Sequence, residues 1–187
     1  MPRRRTPFLA DAFYHIYNRG IDRRPIFHRE QNYLYFARLL REKADRHAVQ
    51  VVAYCLMPNH YHFLLRPWRD GVVSPFLNAL LGSYVQALNA QQGRLGPLFQ
   101  GRFRSIHVDR DEYLGHLARY IHLNPVAAGL VMRPQDWPHS NYTRLVEDGT
   151  LIGGIFATAR AHHDFVEEPQ PFELPASLKL AGSQQPR

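Results

Sequence analysis

Two histidines one residue apart supply the first hint of chemistry in this chain. His60 and His62 sit inside Met57-Pro58-Asn59-His60-Tyr61-His62-Phe63-Leu64-Leu65, an apolar run that reads as a strand. Residues i and i+2 of a strand share a face, so both imidazoles point one way and Tyr61 the other. Their Cα atoms would lie ~7 Å apart, from the strand rise. Ring nitrogens at that spacing can converge on one cation. Ordinary hydrogen bonding satisfies such a pair about as often as a metal does, so more is needed to decide.

The other half of a site comes about 60 residues later. The stretch Glu112-Tyr113-Leu114-Gly115-His116-Leu117-Ala118-Arg119-Tyr120-Ile121-His122-Leu123-Asn124-Pro125 has an apolar helical face through Tyr113, Leu117, Tyr120 and Ile121. Asn124 falls on that face. A polar group there must be bonded or ligating, because leaving it unpaired costs roughly 1–3 kcal/mol. Tyr120 and Asn124 are i and i+4, one turn apart.

His60, His62 and the Asn124 amide oxygen would make three ligands for an oxygen-tolerant divalent cation such as Mg or Mn. The Tyr120 hydroxyl would stand beside it as nucleophile toward a phosphodiester. Of the ten tyrosines, Tyr84 and Tyr113 have leucine at i+4, and Tyr33, Tyr35 and Tyr142 also lack a polar partner there. His116, one turn before Tyr120, is the reserve third ligand. The plain alternative for Tyr120 is a core aromatic.

The elements that must position these groups follow an order. Ala12 to Asn18 reads as a strand ended by Arg19-Gly20, and Asp22-Arg23-Arg24-Pro25 as a basic turn. A helix is expected from about Arg29 to Arg46, then strands over 51–56 and 60–65, joined tightly through Pro58-Asn59. Ser74-Pro75 reads as the cap and first position of a helix to about Gln92. Leu98 to Val108 reads as a fourth strand or ribbon. Asp109 reads as the cap of a third helix ending before Pro125, and Trp137-Pro138-His139-Ser140 as the opening of a short fourth one. The order βαββαβ is that of a ferredoxin-like α+β sheet with helices on one face, plus extra C-terminal helices. Residues 1–148 are expected to form the domain that carries the chemistry. Residues 149–187, proline-rich from Glu167 on, are expected to be a partly disordered extension.

Composition narrows the partner. The chain of 187 residues carries a formal charge of +7, nearly all from arginine, since Lys43 and Lys179 are the only lysines. The pI is about 9.9. Arginine matches phosphate oxygens and stacks on bases, which points to nucleic acid, although arginine-favouring codon usage gives the same bias. Cys55 is the only cysteine and reads as a buried thiol, so no disulfide framework or thiolate cage exists. No apolar run approaches the ~20 residues of a membrane span. A cytoplasmic location is expected.

The runs Met57-Pro58-Asn59-His60-Tyr61-His62, Gln100-Gly101-Arg102-Phe103-Arg104-Ser105 and Arg119-Tyr120-Ile121-His122-Leu123-Asn124-Pro125-Val126-Ala127-Ala128-Gly129-Leu130-Val131 together resemble the REP-associated tyrosine transposases. These belong to the single-tyrosine HUH transposases, and the resemblance spans roughly residues 10 to 145. It implies an enzyme that nicks and transfers single-stranded DNA at hairpin-forming repetitive extragenic palindromes. His60 and His62 would match the two metal histidines and Tyr120 the catalytic tyrosine. Asn124 would stand in place of the polar third ligand, which is glutamine in some relatives.

DNA contacts are expected from Arg19, Arg23 and Arg24 after the first strand, from Arg102 and Arg104 around Phe103, and from the arm Arg3, Arg4 and Arg5. The partner is single-stranded and hairpin DNA, bound by a monomer or homodimer. Two other readings stay open: a non-catalytic nucleic-acid module with bases stacked on the sheet, and a metal phosphodiesterase that uses water.

Overall fold

A computed structural model describes residues 7–143 and 164–166. Four strands form one antiparallel sheet: β1 (Phe13–Arg19), β2 (Val49–Met57), β3 (His60–Pro67) and β4 (Arg104–Val108), in the spatial order β2-β3-β1-β4. Between them run α1 (Glu30–His47) and α2 (Val73–Gln92), and α3 (Asp111–Ala127) follows β4. This is the expected α+β layout. Among the described residues no helix is long and apolar enough to cross a membrane.

Strand alternation sorts the residues onto two faces. Tyr14 and Ile16 of β1 and Tyr61, Phe63 and Leu65 of β3 pack against α1 and α2. Helix α1 buries Tyr33, Phe36, Leu39, Leu40 and Ala44, and α2 buries Val73, Phe76, Leu77, Leu80, Tyr84 and Leu88, both at helical spacing. On the opposite face Cys55, Met57 and Leu64 meet Leu114, Leu117, Ala118 and Ile121 of α3. So α3 does not join the first two helices. It covers the other side, and Cys55 is the buried thiol expected, with burial pushing its pKa up.

Several boundaries differ from the sequence expectation, each for a local reason. Helix α2 begins at Val73 after Val72, so Ser74 is not its cap. Pro75 falls at the third position, where its missing N–H would have had no partner anyway. Helix α3 starts after Arg110 rather than Asp109 and runs through Pro125 to Ala127. Proline in a last turn forfeits a single bond, and Gly129, at φ 67°, provides the stop. Only Arg104–Val108 pairs as a strand. The stretch before it wraps the end of β1 instead, through Ile21 N–H to Leu98 O (3.1 Å) and Gln100 N–H to Arg19 O (2.9 Å).

Trp137 to Ser140 does not itself form helix: the helical residues of the expected fourth helix that fall in the described part are Tyr142 and Thr143, and the rest of it lies outside the described residues. The stretch from Trp137 lies along the outer edge of β2, where Leu56 N–H donates to His139 O (2.9 Å) and Trp137 Nε1–H to Leu56 O (3.1 Å). Asn141 completes the cover. Its Oδ1 accepts from Tyr54 N–H (2.7 Å) and its Nδ2 donates to Val52 O (3.1 Å), beside the register shift between Val51 and Ala53. An edge strand's open backbone groups are thereby satisfied.

Candidate active site

Strand β3 carries His60 and His62 on the α3 face, where β1 places Tyr17 opposite His62 and Arg19 opposite His60. Both histidines spend Nδ1 on a neighbour. His60 Nδ1–H donates to Asn59 Oδ1 (2.7 Å), and His62 Nδ1 lies 2.9 Å from Nε2 of His15 on β1. Both Nε2 atoms are then buried with no hydrogen-bond partner. The rings stand perpendicular, 5.2 Å apart between centroids.

Burial lowers His60 to about 4, the Asn124 amide acting weakly the other way, and Arg19 adds to the lowering. His62 is lowered well below the usual range, by burial first and by the facing His15 and His60 next. Both rings therefore stay neutral at ordinary pH and offer lone pairs. The Asn124 amide lies close enough to His60 to influence its ring, while His60 Nε2 keeps no hydrogen-bond partner.

Helix α3 supplies the rest. Tyr120 is half-buried, its ring edge-on to His62 at 5.5 Å and to His15 at 6.3 Å. Asn124 is buried and its Nδ2 donates to Tyr120 O (2.7 Å), which leaves the amide oxygen as the side chain's acceptor. Pro125 has not displaced it. The helix is anchored to the sheet by His122, whose Nε2–H donates to Asn141 Oδ1 (3.0 Å), and burial lowers His122 to about 4 with that bond opposing. At the other flank Arg119 Nε–H donates to the carbonyls of Phe165 (3.2 Å) and Val166 (3.1 Å). His116 packs on Phe165 at 4.9 Å, so the reserve ligand is turned toward that C-terminal turn.

The residues present fit a divalent cation. No group of three His, Cys, Asp or Glu side chains gathers as a metal cage among the described residues. Two unpartnered imidazole nitrogens and one amide oxygen are what the face offers, a mixed N/O donor set for a divalent cation in which only the oxygen is of the kind Mg or Mn prefers.

A basic pocket of about 500 Å³ opens beside this face, lined by Tyr17, Asn18, Arg19 and 100–104. It holds Arg102, Phe103 and Arg104 together with Arg19, whose Nε–H donates to Gln100 Oε1 (2.6 Å). Arg23 and Arg24 ride on a loop that rests on the β2–β3 turn, through Gly20 N–H to Asn59 O and Ile26 N–H to Pro58 O (2.8 Å each). Only glycine fits at position 20, since a Cβ would run into the Arg24 carbonyl. The larger cleft, about 720 Å³ between α1 and β2, contains none of the site residues. Arg3, Arg4 and Arg5 lie outside the described residues.

Residues 9–124 match the family described as Transposase IS200 like. That is more than half of the chain. The chain belongs to the IS200-like transposases. A relative from Haemophilus influenzae, named among the REP-associated tyrosine transposases, is 27% identical over 122 residues, covering 60% of this chain and 69% of its own. A solved REP-associated tyrosine transposase bound to a REP hairpin superposes with TM-score 0.67 at 21% identity, over 82% of this chain and 90% of that one.

In this IS200-like transposase the fold brings His60, His62, Tyr120 and Asn124 to one place, and Arg19, Arg102, Phe103 and Arg104 to the pocket beside it. Arg23 and Arg24 border the His60 end, Arg24 paired loosely with Asp22 at 4.0 Å. His15 was missed in the sequence. Its signal was a histidine at an alternate position of an otherwise aromatic and aliphatic strand, next to Tyr17 on the same face.

Proposed function

We propose that this chain is a metal-dependent tyrosine transposase that cleaves and rejoins single-stranded DNA beside hairpin-forming repetitive extragenic palindromes. The observation that carries the reading is Tyr120 set edge-on to His62, with the Nε2 atoms of His60 and His62 both buried and unpartnered. The hairpin enters by analogy with the solved relative, whose ligand is a REP hairpin.

His60, His62 and Asn124 Oδ1 would hold Mg or Mn, which when bound would polarise a phosphoryl oxygen and offset developing charge. Tyr120 then attacks the phosphorus in line. Its hydroxyl loses a proton as the oxygen–phosphorus bond forms, and the departing deoxyribose oxygen takes one up. The phosphotyrosine ester keeps the energy of the broken bond, so the released hydroxyl of a strand can attack it and rejoin. Arg19, Arg102 and Arg104 neutralise flanking phosphates, and Phe103 offers a face to an unpaired base. Residues 1–148 would form the nicking domain, working in the cytoplasm, and both halves of the site lying on one chain supports a monomer as the catalytic unit.

The test is a hairpin oligonucleotide from the gene's flanking DNA, incubated with protein and Mg or Mn. A covalent protein–DNA adduct is expected with the native chain and none with Tyr120→Phe, while binding is spared. An adduct that survives the substitution rejects Tyr120 as nucleophile. Cleavage without any adduct makes the chain a water-using phosphodiesterase instead.

A further inference from the structure

Neither the metal set nor the nucleophile accounts for His15, which is fully buried on β1 between the two halves of the site. Its Nε2 lies 2.9 Å from His62 Nδ1, and the two rings stack at 17° with centroids 5.2 Å apart. We propose that His15 is a positioning residue, accepting a hydrogen bond from His62 Nδ1–H and so holding His62 in the one tautomer that leaves its buried Nε2 with a lone pair. The inference rests on the metal reading of His60 and His62.

The argument follows from proton counting. Two imidazole nitrogens bonded to each other at 2.9 Å hold one proton between them, so His62 either donates from Nδ1 or accepts there. If it accepts, its own proton sits on Nε2, and that nitrogen is lost as a ligand. If it donates, Nε2 is free. The ring orientation is set by the same bond, because Tyr17 bounds His62 on the neighbouring side at 5.9 Å and leaves Nδ1 aimed at β1. A metal-bound histidine ordinarily donates its second ring N–H to an outer partner that fixes it. His60 has Asn59 Oδ1 for this, and among the described residues His15 Nε2 is within hydrogen-bond distance of the corresponding atom of His62. An imidazole fits this buried place better than a carboxylate would. It accepts the bond without adding a charge that would draw a second proton onto His62.

Histidine ring ¹⁵N shifts in the metal-free, full-length protein read the tautomer without any substitution. His62 is expected as the Nδ1–H form. Finding the Nε2–H form, the commoner one for free histidine, overturns the proposal. Mn affinity, followed by electron paramagnetic resonance, supplies the second readout. His15→Phe keeps the shape but not the acceptor and should weaken Mn about 10- to 100-fold. His15→Gln can place its amide oxygen where Nε2 stood and should recover most of that loss. Unchanged Mn affinity in a folded His15→Phe protein also overturns the proposal. If the native protein binds no Mn, or His62→Gln binds it as tightly, the metal reading itself falls. The tautomer of His62 then still judges His15 on its own.

Discussion

On the α1–α2 side of the sheet, β3 contributes Tyr61, Phe63 and Leu65; on the α3 side it contributes His60, His62 and Leu64. The first side is an aromatic core. Tyr61 and Phe63 stack at 4.5 Å, and Phe36 reaches Tyr84 edge-on at 4.9 Å. The second side is largely buried too but holds His15, His60, His62 and His122 and a half-buried tyrosine. Period-two alternation lets one strand hold the fold together with one set of side chains and do chemistry with the next. Stability and activity should therefore separate by face.

The sharpest separation is expected at Tyr120. Tyr120→Phe should bring covalent attachment to DNA below detection while changing the unfolding free energy by less than about 1 kcal/mol. A denaturant melt beside the adduct assay checks both. Phe36→Ala, on the other face, should do the reverse. Truncating a fully buried phenylalanine costs about 3–5 kcal/mol, with the adduct still formed per folded molecule. A large stability loss at Tyr120 would break the comparison.

Acid should weaken the histidine side selectively. His122 is buried neutral, with a pKa of about 4 against about 6.5 when unfolded. As pH falls the unfolded chain takes up its proton first, so this contribution is complete above about pH 6.5 and is lost on descending toward 4. The loss should reach about 2–3 kcal/mol by pH 4.5. His122→Gln, which stays neutral, should flatten the urea midpoint against pH. An equally steep curve in that variant would assign the acid sensitivity elsewhere. The smallest effect is reserved for the rim. Arg102→Ala with Arg104→Ala should lower the slope of log affinity against log salt by between about one and two, at roughly 0.7–0.9 per phosphate contact. An unchanged slope would remove those arginines from the DNA path.

Much of this was legible in the sequence. Strict alternation around His60-Tyr61-His62 places both imidazoles together whatever the fold. The i, i+4 pairing of Tyr120 and Asn124 survives any shift of helix ends. The strand and helix order followed from periodicity. What escaped was set by tertiary bonds. Nothing local says that Leu98 to Phe103 wraps the end of β1, or that Trp137 to Asn141 lies along β2, since both are held by partners 40 or more residues away. The side of the sheet that α3 covers depends on β2 presenting Cys55 and Met57 outward. His15 acquires its role only when β1 pairs beside β3.

The Asn141 anchor of α3 has a kinetic consequence. Tyr120 and His62 belong to one folded chain, clamped through His122 and Asn141 to β2, so in the proposed reaction nucleophile and phosphate-activating face would not have to meet by diffusion. Their encounter would then be intramolecular, with the high effective concentration that fixed geometry confers. Turnover per molecule should then be independent of enzyme dilution once the DNA is saturating. Loosening the Asn141 clamp should slow strand cleavage without touching a single atom that meets the DNA.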